Sequence, residues 1–357
     1  MSHNLVYVIY WVFAACLPAF VQAQPVNSKI HERIGTAHRF EDLFEHVRDI
    51  ELQVELIGEI SQLEVARNGN LLVVDQMMHK TWLFDSTGTL LKDINAQTDY
   101  PGVKWWPTGA WFGENNTILT VVSGARVLFL FDSQGKYLTA INTFFPQQYA
   151  DFVIDKDGHI YGYATKGSAP LTVKKLDPKG SVLRTGGIFP EKYKNFISRS
   201  AGGGLVIDPK GNIYQYNVCG PEIYKLSPEL TLIDTFDEKP FYYKQMARDY
   251  PGPAGNPAAF MREVAKLRSG VTTTYKIDLL EPWLFIIQYV QPGKEGGLFL
   301  NFCDLDGTYL TRNKIVSDRP FIAATRNGVV YLVTPPEPDP DGELLNPKIS
   351  KYQFVYR

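Results

Sequence analysis

The sequence predicts an all-β fold, a six-bladed β-propeller, and three observations lead to this prediction. Short β-rich runs alternate with Gly, Asp and Asn turns along the chain, with no long amphipathic helix between them. A turn motif recurs every 45 to 47 residues, which is the length of one four-stranded blade. The last repeat holds only three strands, and a strand-like segment before the first repeat can supply the fourth.

Two motifs define the repeat. In the first, a turn precedes an apolar strand, as in Asn68-Gly69-Asn70 followed by LLVVD. In the second, an apolar strand ends in a turn such as LFDSTG, and its copies end at Gly88, Gly135, Gly180 and Gly307. Tight β-turns use Gly, Asn or Asp because one position needs φ > 0. A single blade cannot bury both of its faces, so the repeats are expected to close into a ring.

The ends of the chain set the predicted number of blades at six. Ile50 to Ile57 (IELQVELI) alternates like a strand, and we expect it to join the three-stranded last blade and close the ring. Gly211 and Gly328 are 117 residues apart, which is two repeats of 45 and about 27 further residues. This excess predicts an insertion at residues 238–275, between blades 4 and 5. Asn256-Pro257 and the AAFMREVAKLRSG that follows predict a short helix in it. A second short helix is expected at residues 39–47.

The first 23 residues contain no Lys, Arg, Asp or Glu and are largely apolar. We interpret residues 1–23 as a signal peptide cleaved before Gln24, residues 24–49 as a lead-in and residues 50–357 as the propeller. Lipoprotein cleavage at Cys16 and a retained anchor are the alternatives. The expected location is secreted, periplasmic or at the cell surface. Cys219 and Cys303 would then be the remaining cysteines, as two buried free thiols or, alternatively, one disulfide.

Composition excludes several classes of function. Apolar residues make up 45% of the chain, which is enough for a packed core. The formal net charge is −2, so no basic field exists for nucleic acid or for an anionic membrane. We expect a monomer without a membrane span in the mature chain and without a cofactor.

The stretch from Gly69 to Gly88 resembles an NHL-type repeat, with Asp75 at a strand end, Lys80 as the following basic residue and Phe84-Asp85 closing the second strand. Arg126 and Phe131-Asp132 repeat part of this pattern. The stretch that begins at Arg39 is similar to the lead-in of secreted bacterial six-bladed propellers of the NHL/TolB-like kind. The resemblance implies the fold over residues 39–355. Such families include binding scaffolds and some lyases, so it leaves the activity open.

The resemblance also implies where a ligand binds: over the central channel, on the face that carries the blade-to-blade connections and the loops between second and third strands. Basic and aromatic side chains suit the recognition of anionic groups, sugars or peptides, although the same residues also suit blade packing or solvated turns. The ligand-binding candidates predicted on this face are Trp105, Trp106, His79, Lys80, Arg126, Lys166, Arg199, Tyr242, Tyr243 and Arg248.

No catalytic residue or metal site is predicted. His31, His38 and His46 precede the propeller, and His79 and His159 fall on opposite faces, so a three-histidine site is not expected. The calcium-like runs at Asp155 and Asp304 recur at turn positions and are interpreted as turns. The leading hypothesis is a non-catalytic binding or scaffold protein for a glycan, peptide or protein partner. The alternative is a lyase or hydrolase acting on polysaccharide or peptide, which paired acids on the innermost strands would favour.

Overall fold

The structure is a computed structural model that describes residues 24–113, 115–142, 149–164, 172–190, 203–218, 220–245, 262, 270–291, 297–336, 338, 341 and 345–355. It begins with helix α1 (Gln24–Thr36) and a 3-10 turn (Phe40–Asp42). The strands that follow are β1 (Phe44–Glu51), β2 (Ile60–Val65), β3 (Leu71–Asp75), β4 (Lys80–Phe84), β5 (Leu90–Asp93), β6 (Pro107–Phe112), β7 (Ile118–Val122), β8 (Val127–Phe131), β9 (Tyr137–Asn142), β10 (Tyr149–Ile154), β11 (Ile160–Ala164), β12 (Thr172–Leu176), β13 (Val182–Gly186), β14 (Gly203–Ile207), β15 (Ile213–Asn217), β16 (Ile223–Leu226), β17 (Leu232–Phe236), β18 (Thr273–Glu281), β19 (Leu284–Gln291), β20 (Gly297–Asp304), β21 (Ile315–Ser317), β22 (Ile322–Arg326), β23 (Val329–Thr334) and β24 (Lys348–Phe354).

These strands form six antiparallel four-stranded sheets. Blades 1 to 5 are the consecutive groups β2–β5, β6–β9, β10–β13, β14–β17 and β18–β21. Blade 6 has the order β22-β23-β24-β1. The first strands of neighbouring blades contact one another around a closed ring, from β2 through β6, β10, β14 and β18 to β22 and back to β2. The predicted six-bladed all-β propeller is confirmed.

The apolar core lies between the blades. Six clusters of buried side chains occupy the six interfaces between consecutive blades. The second strand of a blade is covered on both faces, and β3 accordingly has five buried residues in succession, LLVVD. The outermost strands have more exposed side chains, and β13 is exposed at four of its five positions. Burial is therefore greatest in the middle of each blade.

The turn between third and fourth strands repeats one hydrogen-bond pattern. The Asp85 Oδ1 accepts the backbone N–H groups of Thr87 and Thr89 at 2.8 and 3.0 Å. Asp132, Asp177 and Asp304 accept the equivalent pairs of N–H groups in blades 2, 3 and 5. This is the Asx-turn chemistry that made the repeat visible in the sequence.

The outer strand of blade 6 differs from its predicted position. β1 pairs antiparallel with β24 from Phe44 opposite Phe354 to Glu51 opposite Lys348. The predicted closing segment, Ile50 to Ile57, shares only residues 50–51 with this strand. The helix expected at residues 39–47 is also wrong, since only Phe40–Asp42 forms a single 3-10 turn. Leu52 and Ile57 are buried in the interface between blades 1 and 6 without being part of a strand.

The N-terminal lead-in contains α1, which the sequence did not predict. Ile30 and Ile34 of this helix are buried in the core between blades 5 and 6, beside Phe40 and Phe44. The predicted signal peptide, residues 1–23, lies outside the described residues. The insertion helix predicted after Asn256 also lies outside them, apart from Arg262.

Candidate functional site in the central channel

The first strand of every blade runs along the central channel from one face of the propeller to the other. Each strand starts at the face that carries the blade-to-blade connections, which we call the connection face. It ends at the turn into the second strand, so the opposite face is called the turn face. Side chains two residues apart on a strand point to the same side. Each first strand therefore presents alternate residues to the channel.

A cavity of about 410 Å³ occupies the channel on the side of the turn face. We call it the channel cavity. Every blade contributes side chains of its first strand to the wall, among them Glu64, Trp111, Val153, Val206, Asp278 and Thr325. Asp151 and Lys276 lie two residues earlier on their strands and line the same cavity. The lining continues to Arg67, Pro209 and Asn327 in the turns, so the cavity opens on the turn face.

Four ionisable side chains form the channel cluster: Glu64, Asp151, Lys276 and Asp278. The Lys276 Nζ lies 3.2 Å from the Asp278 Oδ1 and donates a hydrogen bond to the Ala323 backbone oxygen of the next blade. The Glu64 Oε1 accepts a hydrogen bond from the Gln62 Nε2 at 3.3 Å. The cluster thus combines three carboxyl groups with one ammonium group inside the channel.

Asp151 is the most extensively hydrogen-bonded of the three acids. Its Oδ1 accepts from the Trp111 indole Nε1 at 2.8 Å and from the Phe152 backbone N–H at 2.9 Å. Its Oδ2 accepts from the Leu205 backbone N–H at 2.8 Å. Because Trp111 is on β6 and Leu205 is on β14, this one side chain connects blades 2, 3 and 4.

Burial changes the proton affinities of the cluster. It raises the pKa of Glu64 from 4.5 to about 7, and it raises the pKa of Asp151 to about 6 although three N–H donors oppose the change. Burial also raises the pKa of Asp278, against the effect of Lys276. For Lys276, burial is outweighed by the nearby carboxylates, and its pKa is raised. The cluster therefore holds an exchangeable proton near neutral pH.

Two polar atoms that line the channel cavity have no hydrogen-bond partner among the described residues. They are the Asp278 Oδ2 and the Arg326 Nε, and both atoms are buried. Burial, and then the positive charge of Arg67, lower the pKa of Arg326. A buried polar atom without a partner costs free energy, so a bound group that pairs with these atoms would be stabilised.

The predicted ligand residues that the structure describes do not line the channel cavity. Three of them, His79, Lys80 and Trp106, lie in loops or at strand ends on the connection face. Trp106 is 37% exposed, with the Lys104 Nζ 3.7 Å from its ring centroid and the His79 ring at 5.1 Å. We call Lys104, Trp106 and His79 the connection-face group. Lys80 pairs with Asp93 at 2.5 Å. Trp105 is buried in the interface between blades 1 and 2, with its ring centroid 5.3 Å from that of Phe129.

The remaining predicted residues are dispersed. Tyr243 is buried beside Tyr289, with ring centroids 5.2 Å apart, and Tyr242 packs on Phe299 at 5.5 Å. Arg126 is exposed immediately before β8. Lys166, Arg199 and Arg248 lie outside the described residues. Of the ten predicted residues, the structure brings His79 and Trp106 into ring contact, and the wall of the channel cavity includes none of the described ones.

The channel residues have a sequence signal that the repeat motifs do not contain, which is polar residues at alternate positions of a first strand. Gln62 and Glu64 are two residues apart on the first strand of blade 1, and Lys276 and Asp278 have the same spacing in blade 5. Polar residues at alternate positions of an innermost strand face the channel. Aligning the first strands of the repeats would have placed Glu64 and Asp278 at equivalent positions.

Two groups of described residues outside the channel carry side chains of the kind that bind metals or take part in redox chemistry. Asp155, Asp157 and His159 place one ligand atom each within 4.8 Å of one another. Asp155 accepts the N–H groups of residues 157 and 159, and its other oxygen lies 3.0 Å from the His159 Nδ1, which confirms the interpretation of this run as a turn. Cys303 is a buried free thiol whose pKa is raised by burial. Cys219 lies outside the described residues.

No helix within the described ranges has both the length and the apolar composition that crossing a bilayer requires. No protein-family model and no curated protein matches the sequence.

Solved structures share the fold at low sequence identity. A member of the DUF4221 family from Bacteroides vulgatus aligns with a TM-score of 0.63 and 13% identity over 88% of this chain and 98% of its own. An exported protein from Bacteroides fragilis aligns at 0.54, with 10% identity over 84% and 86%. A catalytically inactive virginiamycin B lyase from Staphylococcus aureus, with quinupristin, aligns at 0.50, with 10% identity over 87% and 100%. In its fold, the chain is a six-bladed β-propeller of the kind that these bacterial proteins represent.

Proposed function

We propose that the chain is an exported binding protein whose channel cavity takes up a polar group of a glycan or peptide. The observation that carries the proposal is the channel cluster, with three carboxyl groups and one ammonium group in the wall of a cavity that opens on the turn face. A structural core would gain more stability from apolar residues at these positions, because buried charges lose their hydration. The presence of four ionisable groups in the channel wall therefore supports a role in recognition.

The size and chemistry of the cavity agree with a small polar ligand. A volume of about 410 Å³ lies in the ordinary range of ligand pockets, about 300–1,000 Å³. Trp111, Val153 and Val206 supply apolar wall, while Asp278 and Arg326 offer an acceptor and a donor without partners. Sugars and peptide ends carry both donors and acceptors, so they can satisfy both groups at once.

Export is part of the proposal. It is supported by the charge-free, apolar stretch at residues 1–23 and by the exported Bacteroides propeller that shares the fold. The mature chain would begin at Gln24, the first residue of α1, and act as a monomer outside the cytoplasm. Fractionation of a tagged chain, with the N-terminus of the mature form read by mass spectrometry, tests this part.

Binding is tested by a thermal-shift screen of residues 24–357 against neutral and acidic oligosaccharides and short peptides. A ligand of the native state raises the melting temperature, and the stabilisation grows with the logarithm of its concentration over Kd. We expect one chemical class to raise it. If none does at millimolar concentration, the binding proposal is rejected.

A second candidate function, hydrolysis or elimination on a polysaccharide or peptide, is favoured by one observation. The pKa of Glu64 is about 7, beside Lys276 and two further carboxyl groups, and a general acid or base works best when its pKa is near the operating pH. Product formation would be followed for every ligand found in the screen. Turnover that disappears in Glu64→Gln and persists in Asp157→Asn, an exposed acid of blade 3, would identify an enzyme. Binding without turnover in the wild type would exclude this candidate for those ligands.

A further inference from the structure

The lining of the channel cavity is divided into two halves. Blades 2, 3 and 4 contribute mainly apolar and aromatic side chains, among them Trp111, Val153 and Val206. Asp151 is the one charged residue of the described lining on these blades, and its oxygens already accept three N–H groups. Every other charged residue of that lining belongs to blade 5, 6 or 1. The cavity therefore offers an apolar half and a charged half to one ligand.

Asp278 supplies an acceptor in the charged half. Its Oδ1 lies 3.2 Å from the Lys276 Nζ, whereas its Oδ2 is buried and has no hydrogen-bond partner among the described residues. Glu64 and Asp151 also interact with the positive charge of Lys276, so three carboxyl groups share one ammonium group. A second ammonium group at the Oδ2 would form a charge-assisted hydrogen bond there. The channel cluster would still hold more carboxyl groups than ammonium groups.

Arg326 supplies a donor close to this acceptor. It is the last residue of β22, which contacts β18 of the neighbouring blade. The Thr325 Oγ1 donates to the Leu279 backbone oxygen at 3.1 Å, so the residue before Arg326 touches the residue after Asp278. The Arg326 Nε is buried and has no hydrogen-bond partner in the part of the chain that the structure describes. Two adjacent strands thus present one unpaired acceptor and one unpaired donor.

These two atoms limit the chemistry of the ligand. An ammonium group only donates hydrogen bonds and suits the Asp278 Oδ2, whereas a carbonyl oxygen only accepts and suits the Arg326 Nε. At the amino end of a peptide, the two groups are joined through one carbon atom, which also bears the first side chain. Arg67 and Glu281 line the same half of the cavity, and both have interaction partners of their own, so neither is assigned to the ligand.

We propose that the channel cavity binds the free amino end of a peptide, with its α-ammonium group on Asp278, its first carbonyl oxygen on Arg326 and an apolar first side chain against blades 2–4. This inference rests on the proposed binding function and specifies its ligand. An amino sugar offers the same ammonium group. The peptide is favoured because a sugar ring would place hydroxyl groups against Trp111, Val153 and Val206, where they would lose hydrogen bonds to water.

The test compares leucyl-glycyl-glycine with its N-acetyl derivative by isothermal titration calorimetry, using residues 24–357. Acetylation keeps the peptide chain and removes the positive charge. We expect the free tripeptide to bind at least tenfold more tightly, because a hydrogen bond to a charged group is worth about tenfold or more in affinity. Glycyl-glycyl-glycine, which lacks the apolar side chain, should bind about tenfold more weakly than leucyl-glycyl-glycine.

A second matched pair distinguishes the amino sugar. The glucosamine trimer carries free ammonium groups, and the N-acetylglucosamine trimer has the same rings without them. We expect neither trimer to bind as tightly as leucyl-glycyl-glycine. A loss of affinity on acetylation that is confined to the sugars would overturn the peptide assignment.

Variants locate the two contacts. Asp278→Asn is expected to reduce the difference between the free and the acetylated tripeptide to less than about threefold, since an amide cannot neutralise the ammonium charge. Arg326→Met should weaken both tripeptides by a similar factor, because both keep the first carbonyl oxygen. Asp157→Asn and Arg184→Met, at exposed positions of blade 3, are the matched controls and should change neither affinity.

The outcomes separate this inference from the proposed function. Equal binding of the free and acetylated tripeptides to the wild type, or an undiminished preference in Asp278→Asn, would overturn the inference while the binding function stands. The comparison in the wild type decides by itself if Asp278→Asn fails to fold. Failure of all tripeptides to bind, together with a thermal shift from an oligosaccharide, would also overturn the inference alone. Failure of every ligand would reject the binding function itself.

Discussion

Asp151 contributes to the structure as well as to the charge of the channel. Its two oxygens accept three N–H groups, from Trp111, Phe152 and Leu205. Replacement by Asn keeps the shape of the side chain but turns one acceptor into an NH₂ group that faces a donor. The connection between blades 2, 3 and 4 should therefore weaken.

We expect Asp151→Asn to lower the free energy of unfolding by about 1–3 kcal/mol, the usual result of leaving a buried group without its partner. Urea denaturation of the purified variant measures this directly. Asp157→Asn in the exposed turn of the same blade is the control and should change the free energy by less than about 0.5 kcal/mol. Equal effects of the two variants would contradict the role assigned to Asp151.

Glu64 makes stability depend on pH in a direction opposite to that of most acids. Its pKa in the folded chain is about 7, above its ordinary 4.5, so the folded state binds more protons than the unfolded state between these values. Stability from Glu64 is fully present below about pH 4.5 and is lost as the pH rises toward 7. Asp151, with a pKa of about 6, contributes in the same direction.

This predicts that the free energy of unfolding contributed by Glu64 falls by about 2 kcal/mol between pH 4.5 and pH 7.5, allowing for its partial exposure in the channel. Urea denaturation over that range measures the slope. In Glu64→Gln the slope should be shallower, and in Glu55→Gln, an exposed acid, it should be unchanged. A Glu64→Gln variant with the wild-type slope would show that the carboxyl group titrates as it does in the unfolded chain.

The closing strand β1 is held to the ring by two buried side chains. Phe44 and Ile50 are each 2% exposed, and the five residues between them are exposed. Phe44 stacks on Phe40, with ring centroids 4.6 Å apart, and contacts Phe354 at 5.5 Å. The turn of blade 1 packs closely against the end of β1. A Cβ added at Gly88 in this turn would lie 2.1 Å from the Glu51 backbone oxygen.

Phe44→Ala should therefore destabilise the fold by about 3–5 kcal/mol, the usual cost of truncating a buried Phe. Val47→Ala on the same strand is the matched control: Val47 is 49% exposed, and the variant should differ from the wild type by less than about 0.5 kcal/mol. Thermal and urea unfolding of both variants measure the effects. Equal stability of the two would mean that β1 is not required for closure of the ring.

The position of β1 shows why the sequence predicted the number of blades better than the limits of individual strands. IELQVELI alternates clearly, and Leu52 and Ile57 within it are indeed buried. They reach the core from an irregular segment, however, while the strand itself is the more polar FEHVRDIE. An outermost strand is exposed on much of its surface, so its sequence has little apolar alternation to identify it.

The ring as a whole was predictable because its turns are local. Asp85 and its counterparts accept N–H groups two and four residues ahead, and the spacing of such turns gives the length of a blade. The channel cavity was not predictable in the same way. Glu64, Asp151 and Asp278 are far apart in sequence, and only closure of the ring brings them to one wall. The expected ligand residues were assigned to the connection face, whereas the described ionisable cluster lies in the cavity that opens on the turn face.

The channel cavity and the connection-face group are thus two alternative locations for ligand binding, and one measurement separates them most directly. The ligand that gives the largest thermal shift would be titrated by calorimetry into the wild type, Asp278→Asn and Trp106→Ala. We predict that Asp278→Asn weakens binding at least tenfold and that Trp106→Ala leaves Kd unchanged. Loss of affinity in Trp106→Ala with full retention in Asp278→Asn would contradict a functional channel cavity and place the ligand on the opposite face.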